Sequence, residues 1–255
     1  VAQGFRAAGV AAGVSSTGDR DVAVVVNDGP QFAAGGVFTR AHTKAAPVHF
    51  SARTTEAAQI MEHPIRAVVA NSGCANSETG TDGYADVTHT AAFLASRLPG
   101  ATSAANVLVC SSGTDGVALP MGELLPGVNA AHRELADTAE ANAAAAAALS
   151  GEGSSGRSAA ASRGGVTVGG IASTSGEIAV LTTDAQVSSD VLQRVLEAAC
   201  SDSFPWVGAP ESASPNASVV LLANGASETV PQESEFGLLV RDVCSELTSE
   251  LPTRK

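Results

Sequence analysis

Apolar residues come in short runs separated by glycine, proline and small polar residues, which is the pattern of buried strands joined by turns. Asp21–Val26 (DVAVVV) is β-branched and predicts a buried strand that stops at the turn Asn27–Pro30. Ala33–Thr39 (AAGGVFT) predicts a second strand, and the short turn between the two predicts an antiparallel hairpin. Lys44–Ser51 reads as a short extended piece, because Pro47 argues against a helix. Ile65–Gly73, Asn106–Gly113 and Ala217–Gly225 read as further buried strands ending in small polar loops. The first twenty residues are rich in Gly and Ala, with polar punctuation at Ser15–Arg20.

Helical periodicity appears between these runs. One helix has Asp86 in its first turn, apolar positions at Ala91, Phe93, Leu94 and Leu98, and an end near Pro99. Ala118–Leu135 reads as two helical pieces split at Pro126–Gly127, and the Ala-rich Thr138–Leu149 as one helix. Ser188–Phe204 is a helix with Ser189 as its N-cap, and Phe236–Leu251 is amphipathic. Ser150–Ser158 (SGEGSSGRS) has the composition of a linker. The strands cluster, with helices between the clusters rather than after every strand. That predicts an α/β (α+β) fold of mixed or antiparallel sheets with outer helices, not a doubly wound parallel sheet.

Gly169–Ala185 (GGIASTSGEIAVLTTDA) is the stretch with most chemical promise. A small-residue break, Ser173–Gly176, lies between two apolar runs, where a chain presents either a nucleophile or only a turn. Ser111–Gly113 follows a buried strand and offers either a plain turn or an oxyanion hole, built from backbone N–H groups or the Ser112 hydroxyl.

Composition narrows the remaining choices. With 255 residues, 44% of them hydrophobic and 16% charged, the chain can bury a sizeable core. Its net charge of −12 disfavours nucleic acid and anionic membrane surfaces as partners, and no apolar run is long enough to span a bilayer. The four cysteines form no CxxC or Cys/His cluster, so neither a metal site nor a disulfide scaffold is expected; the chain reads as soluble and cytoplasmic. The five histidines show no metal spacing and no nucleophile–base motif. Without a Walker lysine or a GxGxxG after a strand, nucleotide binding is not expected, and no cofactor is implied.

Several strings occur in a telling order: GFRAAGVAAGV, VVNDGP, GGVFTR with KAAPV, AVVANSGCANSETGTDGYAD, CSSGTDGVALPM, VTVGGIA and VLTTDA. Together they resemble the ornithine acetyltransferase family, bifunctional glutamate N-acetyltransferases of arginine biosynthesis, over Gly4 to about Leu251. The resemblance implies an αββα-layered sandwich. It also implies self-cleavage before a threonine that becomes the nucleophile, and acetyl transfer from N-acetylornithine to glutamate. Residue by residue, Ser112 and Gly113 match the oxyanion turn. Counting forward from GGIA, the family's substrate-binding lysine falls on Ser173; counting back from TTDA, its threonine falls on Gly176. Thr174 and Ser175 are the nearest hydroxyls and the candidate displaced nucleophiles. Ser214 and Asn216 match the family's polar substrate loop in character, within Gly208–Ser218.

The expected organisation is one layered domain. Residues 1–150 form its first part, 151–165 a flexible loop and 166–255 the rest, with the family's C-terminal domain missing. The expected function is acetyl transfer of this type with impaired or altered activity. The alternative is an inactive homologue acting as a binding or scaffold partner. Expected partners are small amino-acid substrates and either further copies of the chain or a full-length relative.

Overall fold

A computed structural model describes residues 1–100, 103–151, 153–208 and 214–249. Nine strands form two sheets among these residues. The first sheet has the order β1-β2-β4-β5, with β1 at Phe5–Val10, β2 at Val22–Asn27, β4 at Ala67–Asn71 and β5 at Val107–Ser111. The second has the order β3-β9-β8-β7-β6, with β3 at Ala33–Phe38, β6 at Arg157–Arg163, β7 at Val166–Ala172, β8 at Ile178–Thr183 and β9 at Ser218–Ala223. Each sheet is mixed. Its parallel pair, β4/β5 or β8/β9, needs a crossover, supplied by α2 (Gly80–Ala95) in the first and α5 (Ser189–Ser203) in the second.

Strand alternation decides which side chain enters which layer. On β2, Ala23 and Val25 point to the layer between the sheets, where they join Val68 and Leu108 and face Val180, Val220 and Leu222 of the second sheet. Val22, Val24 and Val26 point the other way, against Leu94 of α2 and Leu124 and Val128 of α3 (Met121–Arg133). The outer face of the second sheet, with Leu181, Val219 and Leu221, is covered by Leu192 and Leu196 of α5 and Leu239 and Val240 of α7 (Glu233–Thr248). Each such aliphatic side chain taken from water stabilises the fold by about 1.5–3 kcal/mol. The layers therefore run helix, sheet, sheet, helix, the order that the family resemblance implies.

Two more helices close the open sides. α1 (Ala46–Met61) packs on the edge strands β5 and β3, and α4 (Ala139–Ser150) packs on β1 and β7. The approach of α4 demands glycine at position 9, where a Cβ would lie 2.0 Å from the Ala144 carbonyl oxygen. α6 (Pro205–Gly208) is a single turn after α5.

Several sequence expectations are overturned. β2 and β3 form no hairpin: β2 lies between β1 and β4, and β3 pairs with β9. All six residues of β2 are buried, so it needs a neighbour on each side, and the turn after it carries the chain to the other sheet. Lys44–Ser51 is not extended but opens α1. Pro47 sits in the first turn, where its missing N–H leaves no hydrogen bond unmade. α3 is continuous through Pro126. β1 forms from a Gly/Ala segment because its partner β2 supplies the β-branched residues. Arg157–Arg163, inside the stretch expected as loop, is the edge strand β6 paired with β7. Ser188 rather than Ser189 caps α5. The far end of the helix expected to reach Leu251 lies outside the described residues, as do positions 209–213 of the polar loop.

Candidate active site

The polar break is the tip of the β7–β8 hairpin, tied down from three directions. The Gly176 N–H donates to the Ser173 carbonyl at 3.0 Å, and Gly176 adopts φ +70°, which a side chain resists. The Thr174 N–H donates to Ser150 Oγ at 2.9 Å, fastening the tip to the end of α4. The indole Nε1–H of Trp206 donates to the Gly176 carbonyl at 3.0 Å. Ser173 is buried, its Oγ 3.1 Å from Ser175 Oγ and accepting from the Ile178 N–H at 3.2 Å.

Ser175 faces a cleft of about 490 Å³ lined also by Glu177, Ser112, Gly113, Ser72 and Ser150. The cleft opens at the carboxyl ends of the parallel strands β4 and β5. Asn71 and Ser111 are register partners, so Ser72 and Ser112 are the next residue on each strand. The Ser112 N–H is spent on the Asn71 carbonyl at 2.9 Å. That leaves the Ser112 hydroxyl and the Gly113 N–H as the turn's remaining donors beside the cleft. Gly113 lies at φ +127° and a Cβ there would come within 2.3 Å of the Gly73 carbonyl carbon, so the turn can be made only by glycine.

The wall opposite is the loop carrying Ser15 and Thr17. It is shaped by the buried carboxylate of Asp21, which accepts from the N–H groups of Ala12, Gly13 and Ser15 at 2.7, 3.0 and 2.9 Å. Ser72 is 3% exposed and its hydroxyl has no hydrogen-bond partner among the described residues. Glu177 is the one acidic or basic side chain among the described residues lining the cleft. In the layer between the sheets, burial pushes the Cys110 thiol up to about 12, which keeps it protonated.

Ser112, Gly113 and Ser175 thus meet in one cleft. Ser173 is buried in the tip, and Thr174 is exposed on it without lining the cleft. Asn216 lies behind the oxyanion turn, its buried Nδ2 donating to the carbonyls of Ala75 at 2.6 Å and Ser111 at 2.7 Å. Ser214 Oγ accepts from the Asn216 N–H at 3.2 Å and so shapes that loop. Ser72 and Ser150 were missed in the sequence. The signal for Ser72 was available: ANSG and CSSG end neighbouring parallel strands in the same way. Among the described residues no three His, Cys, Asp or Glu side chains are placed to hold a metal ion. No helix among them is long and apolar enough to cross a membrane.

An αββα sandwich with a hydroxyl-bearing hairpin tip facing the turn after β5 defines the class of layered protein to which the fold belongs. Residues 6–253 match the family described as the ArgJ family, and the chain belongs to that family. It is 44% identical over 257 residues to the arginine biosynthesis bifunctional protein ArgJ of Thermobifida fusca, covering 97% of this chain and 64% of that protein. The chain therefore spans a little under two thirds of the length of that relative. The ornithine acetyltransferase of Mycobacterium tuberculosis, solved in complex with ornithine, superposes with a TM-score of 0.63 and 40% identity, covering 68% of this chain and 89% of that one. A β-aminopeptidase from Burkholderia sp. shares the fold alone, at 13% identity and a TM-score of 0.57 over 98% of this chain and 84% of its own.

Proposed function

We propose that the chain carries an acetyl-transfer site of the ornithine acetyltransferase type, moving acetyl from N-acetylornithine to glutamate through the Ser175 hydroxyl. The observation that carries this reading is the convergence of Ser175, Ser112 and Gly113 on one cleft. In the reaction, Ser175 Oγ attacks the acetyl carbonyl and its proton passes to the Glu177 carboxylate. The Ser112 hydroxyl and the Gly113 N–H receive the developing oxyanion. The amide C–N bond then breaks and ornithine leaves with the proton that Glu177 returns to its amine; the amine of glutamate next attacks the acetyl carbonyl, gives a proton to Glu177, and the C–O bond to Ser175 breaks as Ser175 Oγ takes that proton back. A cytoplasmic setting, and assembly with further copies or a full-length relative, belong to the same proposal. The four buried free cysteines support the first.

A second reading, an inactive binding or scaffold homologue, is favoured by Gly176, which occupies the position that register assigns to the family's threonine. Intact-mass analysis with and without N-acetylornithine separates the two. Acetyl transfer predicts an adduct or a cleavage within Ser173–Glu177 that Ser175→Ala removes. A folded chain that stays intact and unmodified supports the scaffold reading and overturns the enzymatic one.

A further inference from the structure

A second cleft, of about 390 Å³, lies between the first turns of α1 and α2 and is separate from the hairpin site. Lys44, His49 and Arg53 line it, with Tyr84 on the α2 side. The clustering is unusual for this chain. It carries 26 acidic residues against 14 basic ones, and Lys44 and Lys255 are its only lysines. Within the cleft Glu78 is the one carboxylate, and among the described residues no ion pair engages Lys44 or Arg53. Elsewhere arginines do find acids: Arg6 pairs with Asp28, Arg163 with Asp242 and Arg194 with Glu233.

The local arrangement works against helix stability, which argues that it serves a ligand. Lys44 precedes Ala45, the N-cap of α1, and that helix has neither an acidic residue in its first turn nor a side-chain cap. Cations at a helix N-terminus oppose the positive end of the helix dipole. His49 and Arg53 are one turn apart on α1, so both side chains lie on the face turned to the cleft. A compact anion placed there relieves the repulsion among these groups and accepts charge-assisted hydrogen bonds from Lys44 and Arg53.

We infer that the Lys44–His49–Arg53 cleft binds a small dianion bearing two or more negative oxygens, either a phosphate group or a dicarboxylate. The site does not depend on the proposed acetyl transfer, and its test reads binding alone. Thermal unfolding of the full chain is followed with rising inorganic phosphate in one arm and glutarate in another, against sodium chloride at matched ionic strength. A saturable rise in Tm in at least one arm is expected. The arm that responds names the source of the charge. Lys44→Gln and Arg53→Gln are expected to weaken the apparent affinity by about tenfold each, with the ligand-free Tm held or slightly raised as opposing charge leaves the start of α1. A response no larger than that to chloride overturns the inference, as does a response unchanged in the double variant. If either substitution lowers the ligand-free Tm, Lys44→Arg provides the check: it keeps the charge and is expected to retain binding, and its failure to do so counts against the site.

Discussion

The indole N–H of Trp206 donates to the carbonyl oxygen of Gly176 across 3.0 Å, linking the turn after α5 to the tip of the β7–β8 hairpin. Trp206 is 9% exposed and packs at a tilt on Phe204, so neither ring is free to leave. Trp206→Phe keeps most of the apolar contact and removes the donor. The expected cost is about 1–2 kcal/mol, from one lost hydrogen bond and one unsatisfied carbonyl. Urea unfolding measures it. Amide hydrogen exchange is expected to quicken at Ser175–Glu177 and not in β4 or β5; uniform quickening would show that the bond does not fix the tip.

Asn216 ties the loop after β4 to the end of β5, since its Nδ2 serves both Ala75 and Ser111. Asn216→Ala strands two buried carbonyls and is expected to destabilise by about 2–4 kcal/mol. Asn216→Asp should be worse, because a carboxylate has no proton to donate and would face two carbonyl oxygens. An equal or milder loss for Asp, measured by chemical denaturation near neutral pH, contradicts the hydrogen-bond assignment.

The oxyanion reading assigns Ser112 a side-chain role, because its N–H is already taken by Asn71. Ser112→Ala is expected to lower kcat for acetyl transfer by about 100- to 1000-fold, the usual effect of losing one such donor, with little change in stability. Gly113→Ala is expected to abolish activity and to destabilise as well, because its Cβ has no room beside Gly73. A Ser112→Ala enzyme with unchanged kcat removes Ser112 from the mechanism.

Asp21 holds the loop opposite the hairpin tip through three N–H donors. Asp21→Asn retains one acceptor oxygen and swaps the other for a donor, setting an NH₂ group against backbone N–H. A loss of about 1–3 kcal/mol is expected, with proteolysis appearing first at Gly13–Thr17. Nicking elsewhere first would place the weak point in another element.

Burial raises the Cys110 thiol from its ordinary 9.0 to about 12, and the hydrogen bond with Cys244, together with burial, raises Cys200 well above that ordinary value. A raised thiol holds its proton longer in the folded chain than in the unfolded one. These groups therefore favour the fold fully below about pH 9 and lose that contribution as the pH climbs toward 12. Stability measured from pH 8 upward should decline. Thiol alkylation should be slow at pH 8 and become complete on adding denaturant. Rapid labelling of the native chain at all four cysteines would contradict this burial.

The β-branched runs of β2, β4 and β9 announce themselves, because a strand buried on both faces needs apolar residues throughout. Their partners do not. The short NDGP turn suggested a hairpin, yet β3 pairs with residues nearly two hundred positions away, a choice made by layer packing rather than by local sequence. Pro47 misled because proline excludes a helix interior but suits a first turn. At the site, Ser112 could be found from its place after a strand. The bridging work of Asn216 could not, since its acceptors are backbone carbonyls of Ala75, in the loop after β4, and Ser111, at the end of β5, which only the folded chain brings to it.

The order of the second sheet has a consequence for any break at the hairpin tip. A cut between Ser173 and Glu177 would make two polypeptides, the first owning β3, β6 and β7 and the second β8 and β9. The second piece's strands would then be clamped on both sides by the first, β9 by β3 and β8 by β7. Such a nicked molecule would persist as an interlocked heterodimer with no covalent link, its halves separable only by unfolding both.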